Sequence, residues 1–205
     1  YAIHVGYELK SIGVPKTIDN DLPITDHTPG FGSAAKFIAT SIKEVGLDAR
    51  VYDYPTVTIC ELMGRNAGWL TASSALAREF EEDAPHFIYL PEIPFSFEKF
   101  GKDVKSALDK YNYAVIAFSE GIKTEKGKYI SEIEDPNAGR DAFGHVQLGG
   151  ASEVLERYVL NNICKKVRTV NYSTIQRSAA HWASLTDNEE SYMCGKAAVD
   201  YAIEG

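Results

Sequence analysis

The chain has 205 residues, a formal net charge of −8, 44% hydrophobic and 24% charged residues. That length can bury one sizeable core, and the acidic balance excludes a nucleic-acid surface, which needs a basic stripe. No apolar run reaches the ~20 residues that cross a bilayer, and no signal-peptide pattern opens the chain. Cys60, Cys164 and Cys194 make no CxxC pair and sit in apolar or amphipathic stretches, so reduced, buried thiols in a cytoplasmic protein are expected.

In chain order, residues 1–4 read as the last turn of a helix closed by Gly6, and residues 9–14 as a strand stopped by Pro15. A helix is expected from Thr28 as N-cap, with Pro29 in its first position and Gly46 as its stop. Between them Ala34, Phe37, Ile38, Ser41, Ile42 and Val45 form one stripe at helical spacing. Residues 56–63 read as a strand, followed by a helix near Asn66 with Trp69, Ser73, Leu76 and Phe80 on one face. Strands at 87–90 and 113–118 flank a helix at 97–111, and the charged, Gly- and Pro-marked stretch 123–140 reads as a solvated excursion. A helix at 152–164, a strand at 169–175 and a final helix opened by the capping box Thr186-x-x-Glu189 complete the chain. Alternating strands and helices predict an α/β fold, a doubly wound, mostly parallel sheet with helices on both faces.

One heptapeptide carries the densest chemistry: Pro15-Lys16-Thr17-Ile18-Asp19-Asn20-Asp21. Taken alone, Asp-Asn-Asp reads first as an Asx-rich surface turn. Yet Lys16 and Thr17 can hold an anionic phosphate while a carboxylate takes the proton of an attacking hydroxyl, which suits phosphoryl transfer. Arg65, before a helix start, suits charge developing on a transferring phosphoryl group, although a lone Arg is more often a surface ion pair. His4, His27, His86 and His181 form no metal-ligand spacing.

The heptapeptide resembles the catalytic loop of the phosphofructokinase family. Further matches follow in the family's order: Thr28-Pro29-Gly30-Phe31-Gly32-Ser33-Ala34, Met63-Gly64-Arg65-Asn66-Ala67-Gly68-Trp69, Pro91-Glu92, Phe118-Ser119-Glu120-Gly121 and Tyr172-Ser173-Thr174-Ile175-Gln176-Arg177. The resemblance implies phosphorylation of fructose 6-phosphate at its 1-hydroxyl, a step of glycolysis. Asp19 is then the general base, Asp21 its supporting carboxylate, Thr17 a donor to the transferred group and Arg65 its charge partner. Met63, Gly64 and Glu120 would contact the sugar. Arg177 and Arg168 would grip the 6-phosphate, Arg168 from a neighbouring subunit, which implies a homodimer or homotetramer with shared sites.

Lys16 occupies a position that in the family is often Gly in enzymes using ATP and Lys in those using pyrophosphate, so pyrophosphate is the expected donor and ATP the rival. A further rival is a non-catalytic, regulatory sugar-phosphate-binding half. The family departs from this sequence in places. No Arg precedes Met63 at Pro55-Thr56-Val57-Thr58, and Thr174 stands where relatives carry His or Tyr. Phe143-Gly144-His145-Val146-Gln147-Leu148-Gly149-Gly150 resembles a second copy of the 172–177 motif, with Leu148 in place of the Arg; the later copy is preferred and His145 is read as structural. The family's upstream glycine-rich loop, which holds phosphate and Mg2+, has no match. Residues 1–205 are therefore expected to be the sugar-phosphate lobe of a longer enzyme, cut at both ends, without metal ligands of its own.

Overall fold

The computed structural model describes residues 4, 6, 8–133 and 150–204. Strands β1 (Thr56–Leu62), β2 (Phe87–Tyr89), β3 (Tyr113–Ser119) and β4 (Val167–Asn171) form one sheet in the order β2-β3-β1-β4. Every pairing is parallel. Parallel neighbours need crossovers over a face of the sheet, and helices α2 (Trp69–Ser73), α3 (Phe97–Tyr111) and α4 (Ala151–Asn162) lie in them, while α1 (Phe31–Ala49) precedes β1. A last helix, α5, spans Leu185–Glu204.

β1 and β3 are buried throughout, as strands covered on both faces must be. Their alternate residues serve different cores. Val57, Ile59, Ile116 and Phe118 pack with Phe100 and Val104 of α3 and Leu155 and Val159 of α4. Cys60, Leu62, Val115 and Ala117 pack with Ile38 and Ile42 of α1 and Leu70 of α2. Helices thus cover both faces, and the doubly wound arrangement read from the sequence is observed.

Several local expectations need correction. Residues 9–14 form no strand; Leu9, Ile12 and Val14 are exposed, and no strand among the described residues takes their backbone groups. Thr28 does not cap α1: Gly30 is the N-cap, at φ 102°, and the Thr28 hydroxyl donates to Asn20 Oδ1 instead. Gly46 does not stop α1 either. A Cβ there would lie 2.5 Å from Ala84 Cβ, so the glycine lets the helix pass against that loop. The helix expected near Asn66 begins at Trp69 and tightens into a 3₁₀ segment, Ser74–Ala77. Its presumed apolar face is the wrong one: Trp69, Leu76 and Phe80 are exposed, while Leu70 and Ala77 enter the core. The strand expected at 169–175 is β4 followed by a 3₁₀ turn, Ser173–Arg177. Cys60 and Cys164 are buried, but Cys194 is exposed. The excursion at 134–140, and the 143–149 motif with His145 and Leu148, lie outside the described residues, as does most of the helix end read at 1–6.

Ser184, not Thr186, caps α5, its Oγ accepting from Asp187 N at 3.0 Å. The Asp187 carboxylate turns away to the start of α1, where Oδ2 accepts from Ser33 N at 2.7 Å and from the Ser33 hydroxyl. Ser33 Oγ in turn accepts from Ser184 N at 2.9 Å. Two helix starts, 154 residues apart for Ser33 and Asp187, thus satisfy each other's orphan donors. Burial alone would raise the Asp187 carboxyl, but hydrogen bonds from Ser33, Gly30 and Ser184 outweigh it and hold the group below its ordinary value. An Asp lowered on folding stabilises fully above its unfolded value of about 4, and that contribution is lost as pH falls through the folded value. Asp187→Ala is therefore expected to cost about 1–2 kcal/mol at neutral pH, the scale of a lost cap. Thermal denaturation should show that difference shrinking below about pH 4.

Candidate active site

The carboxyl ends of β1 and β3 do not merely lie side by side; they interlock. Glu120 N donates to Leu62 O at 2.9 Å, the Ser119 hydroxyl donates to Gly64 O, and Gly121 N donates back to Ser119 Oγ at 3.2 Å. Gly64 has φ 131°, and a Cβ on it would meet Ala67 O at 2.5 Å. A Cβ on Gly121 would meet Arg65 O at 2.0 Å and Gly64 O at 2.7 Å, all backbone atoms that cannot swing aside. Only glycines at these positions let Met63-Gly64-Arg65 approach Ser119-Glu120-Gly121 so closely. Glu92 supports the next stretch, its Oε1 accepting from Gly68 N at 2.7 Å.

The loop bearing Asp19 is shaped by local polar contacts. Asp19 N donates to Thr17 Oγ1 at 3.1 Å. Asn20, at φ 58°, fills the left-handed region that Asn tolerates, and its Oδ1 accepts from Thr28 N at 2.8 Å. Lys16 and Thr17 line a cleft of about 570 Å³ that extends to Glu190, Met193 and Gly195 of α5. On the loop's other side Ile18 and Arg177 border a second cleft, of about 260 Å³.

Charges converge on Asp19. Burial raises its carboxyl, the Asp21 charge raises it further, and Arg65, Lys16 and Arg177 oppose them; the net displacement is upward. Asp19 Oδ1 is buried with no hydrogen-bond partner. A buried carboxylate oxygen left open, on a group poised toward proton uptake, is chemically fit to accept a proton from a ligand hydroxyl. Burial, then the charges of Glu61 and Asp19, push Glu120 up to about 7, against the Gly64 N–H and Arg65.

Lys16, Asp19, Asp21, Arg65, Glu120 and Arg177 thus share one electrostatic neighbourhood. Thr17 joins it through Asp19, and Met63 and Gly64 through the strand-end interlock. Thr174 is exposed on the 3₁₀ turn that carries Arg177. Arg168 stands apart, opposite Thr58 in β4, with Nη1 2.7 Å from Asp48 Oδ2 and Nη2 2.6 Å from the Tyr52 hydroxyl.

Residue-by-residue reading overlooked Gln176. It is 2% exposed; its Oε1 accepts from Met63 N at 3.2 Å and its Nε2 donates to Ser173 O at 2.9 Å, tying the Arg177 turn to the segment after β1. The only signal was its place inside the 172–177 motif. Glu61 was overlooked too, although a carboxylate in the apolar run 56–62 was visible. Histidine spacing also hid a grouping: His27, Asp187 and Glu190 bring ligand atoms within 4.8 Å of one another. There the two ring nitrogens address different carboxylates, Nδ1 at 2.8 Å from Glu190 and Nε2 at 3.4 Å from Asp187, the geometry of a bridging imidazole rather than one nitrogen aimed at a shared ion.

A doubly wound parallel sheet with a polar crevice at the carboxyl ends of its central strands defines a ligand-binding α/β lobe. The phosphofructokinase family model matches residues 2–170, and the chain belongs to that family. It is 46% identical over 202 residues to a pyrophosphate–fructose 6-phosphate 1-phosphotransferase of Xanthomonas campestris, covering 98% of this chain and 48% of that protein. The corresponding protein of Halomonas elongata is 42% identical over 203 residues, with the same two coverages. A crystal structure of a pyrophosphate-dependent phosphofructokinase from Marinobacter aquaeolei is 40% identical and superposes with a TM-score of 0.78 over all of this chain and 47% of its own. The chain spans about half the length of these relatives.

Gln176→Leu should leave Met63 N–H buried without its acceptor, a loss of roughly 1–3 kcal/mol. Chemical denaturation checks this; a Gln176→Leu variant as stable as the wild type would show that the Met63 bond braces nothing.

Proposed function

We propose that the full-length protein transfers the terminal phosphoryl group of pyrophosphate to the 1-hydroxyl of fructose 6-phosphate, and that this chain contributes the sugar-phosphate lobe and the catalytic loop. The observation that carries the reading is the buried Asp19 Oδ1, which has no hydrogen-bond partner and belongs to a carboxylate in the field of Lys16, Arg65 and Arg177. The sugar oxygen attacks the terminal phosphorus, its proton passes to Asp19, the bridging P–O bond breaks, and orthophosphate leaves with the bond's electrons. Asp21 keeps Asp19 receptive by its negative charge. Arg65 and Thr17 stabilise the transferring group.

Met63, Gly64 and Glu120 hold the sugar, while Arg177 and Thr174, on one exposed turn, hold the 6-phosphate. Arg168 serves the same phosphate in a neighbouring subunit of a homodimer or homotetramer, in keeping with its distance from its own chain's cluster. Lys16 meets pyrophosphate from the larger cleft as a point charge, and relatives named for pyrophosphate at 46% and 42% identity support that donor over ATP. Mg2+, when bound, neutralises charge on the donor oxygens. Among the described residues Asp21, an exposed carboxylate beside Asp19, fits it through a metal-bound water, and no third carboxylate or imidazole joins them as a ligand set. No helix among the described residues is long and apolar enough to cross a membrane, which is consistent with a cytoplasmic glycolytic enzyme.

Asp19→Ser in the full-length enzyme should lower kcat about 10²–10⁴-fold while the Kd for fructose 6-phosphate stays within a few-fold. The unmodified enzyme should turn over with pyrophosphate and not with ATP, and Lys16→Gly should depress kcat/KM for pyrophosphate. An active Asp19→Ser enzyme would sink the base assignment. Turnover with ATP alone would sink the donor assignment.

A further inference from the structure

The loop that carries Asp19 is held by few contacts, and they converge on one side chain. Asn20 closes residues 20–28 on themselves. Its Nδ2 donates to Asp26 O at 3.3 Å, and its Oδ1 accepts from Thr28 N at 2.8 Å and from the Thr28 hydroxyl at 3.1 Å. Packing adds little at the tip, where residues 23–26 are exposed and Ile24 is fully so at φ 57°. His27 lies between Asp26 and Thr28, the two residues that Asn20 grips. Its ring reaches α5, with Nδ1 2.8 Å from Glu190 Oε2 and Nε2 3.4 Å from Asp187 Oδ1. Neither of those oxygens has another hydrogen-bond partner among the described residues. Asp187 is itself fixed, because its other oxygen takes Ser33 N at 2.7 Å. The His27 and Glu190 side chains are 35% and 34% exposed, so water screens the pair and its share of global stability is small. Its effect is local, on a loop with little else to hold it.

We propose that His27 is a positioning residue for Asp19: pinned between Glu190 and Asp187, it holds the loop closed by Asn20 against α5 and so fixes where the Asp19 carboxylate meets the substrate hydroxyl. The inference rests on Asp19 being the general base. The constraint runs from α5 through the His27 ring to the flanking residues Asp26 and Thr28. From their backbone it passes to the Asn20 side chain, and from Asn20 to Asp19 across one peptide bond. On its other side Asp19 N donates to Thr17 Oγ1 at 3.1 Å, so the carboxylate is braced from both directions. A general base must lie within hydrogen-bond reach of the proton it takes, and a small misplacement slows the chemical step far more than it weakens binding.

The test uses the full-length enzyme with fructose 6-phosphate and pyrophosphate. His27→Ala should lower kcat about tenfold, while the Kd for fructose 6-phosphate, measured by calorimetry without donor, stays within a few-fold. His27→Gln, whose amide can still donate to one carboxylate, should recover part of the loss. Glu190→Ala leaves the loop's own sequence intact and should lower kcat several-fold, adding nothing once His27 is Ala; it serves if His27→Ala fails to fold. In an Asp19→Ser background His27→Ala should lower kcat no further, because its effect passes through the base. A fully active Asp19→Ser enzyme overturns the base reading and this proposal with it. If Asp19→Ser is impaired, three results overturn the role of His27 alone. These are wild-type kcat in both His27→Ala and Glu190→Ala, an equal His27→Ala loss in both backgrounds, and a loss that falls on Kd instead of kcat.

Discussion

The close backbone contact between the ends of β1 and β3 is the constraint on which the rest of the site depends. Gly64 and Gly121 approach until only hydrogens fit, and Ser119 locks them by bonding to both. From that contact Met63 and Arg65 are projected on one side and Glu120 on the other, with Gln176 bracing Met63 from the Arg177 turn. Function-bearing side chains on adjacent parallel strands come within reach of one small ligand only if the strand ends are brought together, and here backbone rather than side-chain packing does so. Such a device is rigid, and it leaves the side chains free for chemistry.

The second organising feature is charge. Asp19, Asp21, Glu61 and Glu120 crowd acidic groups around the crevice proposed to hold anionic phosphates, and Lys16, Arg65 and Arg177 counter them locally. A net charge of −8 is therefore compatible with phosphate binding, because the relevant field is set within a few ångströms. Burial first, and neighbouring carboxylates second, push the carboxyls of Asp19, Glu61 and Glu120 upward, which makes an ionised Asp19 a readier proton acceptor. Away from the crevice, the reciprocal caps of Ser33, Ser184 and Asp187 fasten α5 to α1, whose first turn follows the Asp19 loop.

The sheet and its helices were legible because 113–118 is an apolar run, 56–62 is rich in β-branched residues, and α1 and α3 carry periodic apolar stripes. The misread elements share a physical cause: neighbours distant in sequence override local signals. Leu9, Ile12 and Val14 have a strand's composition but no pairing partner among the described residues. Gly46 looks like a helix stop because its reason, Ala84, lies 38 positions away. Thr28 looks like a cap, yet Asp187 supplies that function. Short motifs picked out Lys16, Asp19, Asp21, Arg65, Glu120 and Arg177, which share one electrostatic neighbourhood, whereas Arg168 stands apart on Asp48 and Tyr52. What local reading could not give was the support beneath them. Gln176 and Glu61 act through backbone atoms of other segments, and nothing in their own sequence neighbourhoods names those partners.

If the glycine-dependent contact of the two strand ends creates the proposed sugar-phosphate site, Gly121→Ala in the full-length protein tests it through fructose 6-phosphate affinity, measured alongside thermal stability. A methyl there meets backbone oxygens 2.0 and 2.7 Å away, so the strand ends must part. The predicted result is at least a tenfold loss of affinity in a protein that still folds, with a stability loss on the roughly 1–3 kcal/mol scale of overpacking. Wild-type affinity in the folded variant would contradict it.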